Sequence, residues 1–287
     1  MKSLFLLKPL IVNGLLAFLL LSFFWKNENP AAIIPALPDP CNTKNVAFLP
    51  GEELTYKVYY NWGFVWLSAA EITFRVIDDD DQYHFQVVGE TYESYDWFFK
   101  VRDYYDSWVM KDNLLPIQSI RNIKEGKYRL YDYLMFDQSR GICYNDRGKA
   151  KDDIRSRKQY QVERCMHDMV SILYYARNID FSQQKTGQSF PVKIFVDKEV
   201  WNLQVKYEGK EASKTVKGQG DFNTLKFSPE VIAGTVFPDG AQVHVWVTDD
   251  QNKVPLIIES PLSVGSAKAV LKSWKGLRHP LRAKLSK

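Results

Sequence analysis

Residues 192–207, VKIFVDKEVWNLQVKY, contain the pattern that decides the fold. Apolar side chains occupy every second position, at 192, 194 and 196 and again at 201, 203, 205 and 207. A period of two predicts strands with one buried face. The polar run Asp197-Lys198-Glu199 between the two halves predicts a turn, so the stretch is expected to form an antiparallel hairpin.

The same alternation recurs along most of the chain. Residues 54–60 alternate, and residues 70–77 and 83–88 flank a turn at the acidic run Asp78-Asp79-Asp80-Asp81. Residues 243–247 lead through the polar stretch 249–252 into 254–258. The chain also has 16 Tyr, 17 Phe and 8 Trp, which suit half-buried pleated surfaces. Many short strands joined by polar turns predict an antiparallel sheet, sandwich or barrel.

One segment has helical spacing instead. Asp168 can cap a helix, and Met169, Ile172, Leu173 and Ala176 fall on one helical face. We therefore expect a helix over about residues 168–177 that lays this face on the sheet.

The chain ends differ from the middle. Residues 1–25 combine Lys2 and Lys8 with an apolar run, as in a signal peptide or an uncleaved N-terminal anchor. Residues 26–45 are rich in proline and predict an extended linker. A single β-rich domain is expected over 46–274, followed by a basic, solvated tail over 275–287. The net charge of +4 comes from this end of the chain, which argues against a nucleic-acid-binding face.

The three cysteines, Cys41, Cys143 and Cys165, allow at most one bridge within the chain. A bridge between Cys143 and Cys165 is plausible in an oxidising compartment. Lipidation of Cys41 is not expected, because prolines rather than small residues precede it.

No pattern of an enzyme, metal site or cofactor site stands out. The chain lacks the zinc-protease, nucleophile-elbow, phosphate-loop and dinucleotide motifs, so no catalytic residue, metal or cofactor is predicted. Cys165 beside His167-Asp168 invites the hypothesis of a thiol nucleophile, but a helix start at Asp168 is the simpler interpretation. The acidic run 78–81 lacks the glycine and distant glutamate of a calcium loop.

The strongest candidate for a binding site is the density of aromatic residues between 62 and 108. One face of a sheet cannot absorb all of these rings, so the remainder should line a cavity or form an exposed patch. The predicted ligand-binding residues are Trp62, Trp66, Tyr95, Trp97 and Trp108. The alternative is that the rings only fill a large core.

Three segments together resemble a known family. They are residues 50–56, PGEELTY; residues 168–177, DMVSILYYAR; and WVTDD at 246–250 with Val254-Pro255 and VGSA at 264–267. In order and spacing they resemble the domain-of-unknown-function 3108 family of exported bacterial envelope proteins. The resemblance implies a periplasmic β protein with no assigned activity. It also implies a strongly curved antiparallel sheet or half-barrel with one packed helix, similar to lipoprotein carriers.

These observations predict a non-catalytic protein of the periplasm or cell envelope. In the leading hypothesis it binds a hydrophobic small molecule or lipid, such as an acyl chain, in a curved sheet. The second hypothesis is an envelope scaffold that binds a protein partner, and the third is a hydrolase. No nucleic-acid partner is expected.

Overall fold

The computed structural model describes residues 39, 41–62, 65–230, 241–262 and 265–286. The predicted signal segment 1–25 lies outside this part. Two short helices are described, α1 (Glu93–Asp96) and α2 (Ser171–Ala176). The strands are β1 (Glu53–Trp62), β2 (Val65–Asp79), β3 (Gln82–Thr91), β4 (Arg102–Met110), β5 (Pro116–Glu125), β6 (Tyr128–Asp137), β7 (Ile142–Ala150), β8 (Asp153–Gln161), β9 (Ser189–Val196), β10 (Glu199–Val216), β11 (Gly220–Pro229), β12 (His244–Thr248), β13 (Pro255–Pro261) and β14 (Ser266–Lys275).

All 14 strands belong to one antiparallel sheet. Consecutive strands pair from β1 to β8, and consecutive strands pair again from β9 to β14. The two halves join where β14 pairs with β1, so β8 and β9 are the sheet edges. The hairpin predicted from residues 192–207 is present, with Val196 opposite Glu199 across the turn. The mainly β class and the antiparallel sheet are confirmed.

The sheet curls until its two edges approach each other. The rings of Tyr160 in β8 and Phe195 in β9 lie 5.3 Å apart. The described backbone forms no ladder between these strands; instead the chain after β8 runs beside β9, where the Phe195 amide donates to the His167 carbonyl at 2.9 Å. Side chains and one crossing segment therefore hold the edges together, and the sheet is barrel-like without being closed.

Helix α2 lies inside this curve. The ring of Tyr174 stacks on Phe85 of β3 at 3.7 Å, and the Ser107 hydroxyl of β4 donates to Asp168 at 2.6 Å. Asp168 Oδ1 accepts from the Val170 and Ser171 amides, so the predicted capping role is present. The helix, Ser171–Ala176, is shorter than expected, although the flanking residues Val170 and Arg177 also have helical backbone angles.

The predicted buried stripe of α2 is only partly correct. Ile172 is buried, as expected, but Leu173 and Ala176 are half-buried while Tyr174 and Tyr175 are buried. A helix enclosed by a curved sheet has neighbours around much of its circumference, so a single apolar stripe does not identify its buried side.

The expected bridge between Cys143 and Cys165 is wrong. The disulfide joins Cys41 to Cys165, with Cα atoms 5.0 Å apart, and Cys143 is a free, buried thiol on β7. The disulfide therefore fixes the part of the proline-rich linker that the structure describes to the domain. The basic tail is anchored through its backbone, since Ala283 is buried and the Leu285 amide donates to the Asp221 carbonyl at 2.8 Å, while its described lysines and arginines are exposed.

Candidate functional site

The interior of the curved sheet has an apolar half and a polar half. Strands β1–β3 and β9–β14 contribute most of the large apolar core, whereas the inward positions of β4–β7 carry several charged side chains. Helix α2 lies between the two halves. The chemistry of each half therefore has to be considered separately.

A cavity of about 150 Å³ lies in the apolar half, between α2 and the sheet. Strands on both sides of the β1–β14 junction form its walls. Each strand contributes alternate residues, because successive side chains point to opposite faces of the sheet. The helix contributes Ile172, Leu173, Tyr174, Ala176 and Arg177. Its other walls include Leu54, Tyr56, Phe74, Phe181, Phe190, Val192, Val205, Phe227, Pro229, Val243, Val245, Val247, Lys253, Pro255 and Ile258.

The cavity has the size and surface of an apolar binding site. An enclosed cavity of about 150 Å³ lined by such groups stays dry and binds benzene or xenon; the present cavity has this volume and is partly open to the surface. Three phenylalanines, Phe181, Phe190 and Phe227, pack against one another at its wall, with the closest pair of rings 4.6 Å apart. The space suits one small apolar group rather than a whole lipid.

An ion pair lies beside this cavity, because Arg177, one of its lining residues, pairs with Glu52. The Arg177 guanidinium donates to both carboxylate oxygens of Glu52, at 2.5 and 2.8 Å, and its Nε donates to the Asn252 carbonyl at 3.0 Å. Both side chains are buried. The pair ties the end of α2 to the start of β1, and it neutralises the arginine against the apolar wall.

The polar half of the interior contains a charge network that links strands β5–β7 to the turn after β9. Arg121 of β5 and Arg147 of β7 both donate to Asp197, the turn residue that follows β9, at 2.7 and 2.9 Å. Asp132 of β6 pairs with the same two arginines. These neighbours hold the pKa of Asp197 at about 2, so the network stays charged and fastens the curl of the sheet.

A second buried group is a pair of carboxyls on β4 and β5. Burial raises the pKa of Asp103 to about 6 and that of Glu125 to about 9, and the two carboxyls interact directly. Asp103 Oδ2 and Glu125 Oε1 have no donor from other described residues. One proton shared between the carboxyls satisfies both oxygens, because two adjacent buried carboxylates repel each other.

The thiol hypothesis for Cys165 is wrong. Cys165 is held in the disulfide, and burial lowers the pKa of His167 to about 3, so this imidazole is neutral at physiological pH. His167 Nδ1 lies 3.1 Å from the Ser171 hydroxyl, inside the protein and away from solvent. Cys143 is buried as well, and burial raises the pKa of its thiol far above neutrality.

The predicted aromatic residues are not at the cavity. Trp66 on β2 and Trp97 after α1 are 47% and 83% exposed, and Tyr95 of α1 is half-buried. Trp108 lies on the outer face of β4, stacked on His84 at 4.2 Å. Trp62 ends β1, and its side chain lies outside the described part. None of the described four lines the cavity.

Strand geometry explains this separation. Tyr95 and Trp97 lie before β4, at the end where Trp66 also lies, whereas Trp108 is near the opposite end of β4. Tyr105 points inward and is buried, while its neighbour Tyr104 points outward. Rings that are close along the chain are therefore divided between two faces and two ends of the sheet.

Sequence reasoning missed most of the cavity. Val192 and Val205 were recognisable as inward strand positions, but nothing local indicated that they would meet Leu173 or Phe74. Among the described residues no helix is long and apolar enough to cross a membrane, and no group of three or more potential metal ligands occurs.

The fold and the site define a class: a barrel-like, single-sheet β protein wrapped around a short helix, with an apolar cavity beside that helix. The family can also be stated. The family model "Protein of unknown function (DUF3108)" matches residues 55–272, and the chain belongs to this family.

One known structure shares the fold, and a second was matched with low similarity. A β-barrel-like protein of the DUF1849 family from Brucella abortus is similar, with a TM-score of 0.55 and 9% identity over 80% of this chain and 99% of that one. A Bacteroides fragilis protein with a YmcC-like fold has a TM-score of 0.28 and 10% identity, over 82% of this chain and 100% of that one. Among curated proteins, none matches the sequence. The name of the family and the names of these two proteins assign no activity.

Proposed function

We propose that this protein is an exported, non-catalytic binding protein that holds the apolar end of a lipid or acyl ligand in the cavity beside α2. The observation that carries the proposal is the cavity itself, about 150 Å³ in volume and walled almost entirely by aliphatic and aromatic side chains. Binding sites for small molecules are typically apolar, concave and formed before the ligand arrives.

Two observations support export. The N-terminal 25 residues have the charge and hydropathy of a signal peptide or anchor. The disulfide between Cys41 and Cys165 fits an oxidising compartment such as the periplasm, since disulfides are rare in the cytosol.

The test uses benzene and hexanol as probes, with ligand-induced stabilisation as the readout. A ligand that binds only the folded state raises the melting temperature in proportion to its occupancy. The test variant is Ala176→Phe, which fills the cavity from α2. The matched control is Ala150→Phe, also at a half-buried alanine, on β7 away from the cavity.

We expect both probes to stabilise the wild type and Ala150→Phe, and Ala176→Phe to lose at least tenfold in probe affinity while staying folded. Trp66→Ala and Trp97→Ala should leave probe binding unchanged. The absence of stabilisation in the wild type, or equal loss in the two phenylalanine variants, would overturn the proposal.

A second candidate is a scaffold role, favoured by the 83% exposure of Trp97 and the 47% exposure of Trp66 at one end of the sheet. Exposed apolar patches commonly mark partner surfaces. If Trp66→Ala and Trp97→Ala disturb envelope function without changing probe binding, while Ala176→Phe has no effect on that function, the scaffold role is the better account.

A further inference from the structure

Two charged side chains line the cavity among the described residues, Arg177 and Lys253. They differ in one important respect. Arg177 is neutralised by the carboxylate of Glu52 and donates to a backbone carbonyl as well. Lys253 has no ion pair or side-chain hydrogen bond with any residue of the described ranges.

The carboxylates around Lys253 are engaged elsewhere. Asp180, Asp249 and Asp250 are near enough to favour its charged form, but none of them forms an ion pair with it. Asp249 pairs with Lys210 at 2.7 Å, and the side chain of Asp180 accepts from Ser182. Asp250 accepts from Thr248 Oγ1 and the Asn252 amide. Burial and the nearby Arg177 lower the pKa of Lys253 despite these carboxylates.

The backbone holds Lys253 in place. Its φ is 45°, in the left-handed region that lysine rarely adopts. The residues on both sides are buried. Asn252 exchanges hydrogen bonds with the His279 backbone at 2.9 and 3.0 Å, and the Val254 amide donates to Thr248 Oγ1 at 2.9 Å. Lys253 thus sits on a preorganised turn beside an apolar cavity that its side chain helps to line.

We infer that Lys253 binds the anionic head group of an amphiphile whose apolar end occupies the cavity, so that the ligand is an alkyl carboxylate or alkyl phosphate rather than a neutral lipid. This inference rests on the proposed function. An ammonium that pairs with none of the described side chains supplies the charge, and the adjacent apolar space supplies the tail site. Because Arg177 is paired with Glu52, Lys253 is the cavity-lining cation without an ion pair in the part of the chain that the structure describes.

The experiment compares three ligands of one chain length on the full chain: hexanoate, hexyl phosphate and the neutral hexanol. Affinities are measured by calorimetry for the wild type, Lys253→Met, Lys253→Arg and the control Lys158→Met. Methionine keeps the apolar stem of lysine without its charge. Lys158 is an exposed lysine on the edge strand β8, far from the cavity walls.

For the wild type we expect at least one anion to bind about tenfold more tightly than hexanol, as a charge-assisted hydrogen bond at a half-buried site implies. Lys253→Met should reduce this ratio to about one, and Lys253→Arg should retain it. Preference for hexanoate or for hexyl phosphate distinguishes a carboxylate from a phosphate ligand. Lys158→Met should behave as the wild type.

The outcomes separate the two proposals. If no six-carbon ligand binds, the proposed function itself fails, and this inference falls with it. If hexanol binds as tightly as both anions, or if the anion preference survives in Lys253→Met, the cavity binds ligands but Lys253 does not select them. In that case the lysine stem only covers the apolar wall while its ammonium stays in water.

Discussion

At the scale of single residues, buried charges and carboxyls decide how this protein responds to pH and substitution. The pair Asp103–Glu125 is the clearest case, because it keeps a proton that an exposed glutamate would lose. Its effect on stability has a defined sign. The folded-state pKa of Glu125 is about 9, raised from 4.5 for an ordinary glutamate. Between these values the folded state binds more protons than the unfolded chain, so stability falls as pH rises.

This gives a pH prediction. The stabilising proton is fully present below about pH 4.5 and is lost as pH rises toward 9, with a slope of up to about 1.4 kcal/mol per pH unit. Glu125→Gln, which cannot ionise, should flatten that part of the stability curve. Urea unfolding of both proteins at pH 5, 7 and 9 measures this pH dependence of the free energy of unfolding. Parallel curves for the two proteins would contradict the assignment.

The ion pair between Glu52 and Arg177 gives a second residue-scale prediction. Glu52→Ala leaves a buried guanidinium without its carboxylate and should destabilise the protein by about 3–5 kcal/mol. The exposed pair Arg155–Asp153 is the matched control, and Asp153→Ala should cost no more than about 1 kcal/mol. Chemical denaturation compares the two, and equal small costs would show that the buried pair is not intact in solution.

At the scale of elements, α2 depends on its first turn. Asp168→Ala removes the acceptor for the Val170 and Ser171 amides and leaves the buried Ser107 hydroxyl unpaired. We expect a loss of about 2–4 kcal/mol, the sum of a lost cap and a buried unsatisfied donor. Asp180→Ala, which removes a similar bond at an exposed position, should cost less than about 1 kcal/mol. Similar melting temperatures for the two variants would argue against the packed position of α2.

Local elements could be predicted from the sequence because their signals are local. The turn at Asp197 and Lys198 has φ values of 50° and 71°, as a two-residue hairpin turn requires, and polar residues there were visible in the chain. The pairing of β14 with β1 was not predictable, since it joins segments about 200 residues apart. The cavity walls could not be predicted for the same reason, because Leu173, Phe74 and Val245 meet only after β14 pairs with β1.

At the scale of the whole molecule, the disulfide links the segment before β1 to the segment after β8. It closes a loop of 124 residues, for which the chain-entropy model predicts stabilisation of nearly 5 kcal/mol. Cys41→Ser and Cys165→Ser should each lower stability by about 2–5 kcal/mol. The unreduced, denatured wild type should show one titratable thiol, which Cys143→Ala abolishes. A bridge to Cys143 in peptide mapping would contradict this pairing.

The central claim is that the cavity beside α2 accepts an apolar group. Its most direct test is a crystal structure of the protein under xenon pressure, since xenon enters dry apolar cavities of this size. We predict a xenon site between Leu173, Phe190 and Val245, present in the wild type and absent from Ala176→Phe. A cavity without xenon, with xenon bound only at Trp66 or Trp97, would contradict it.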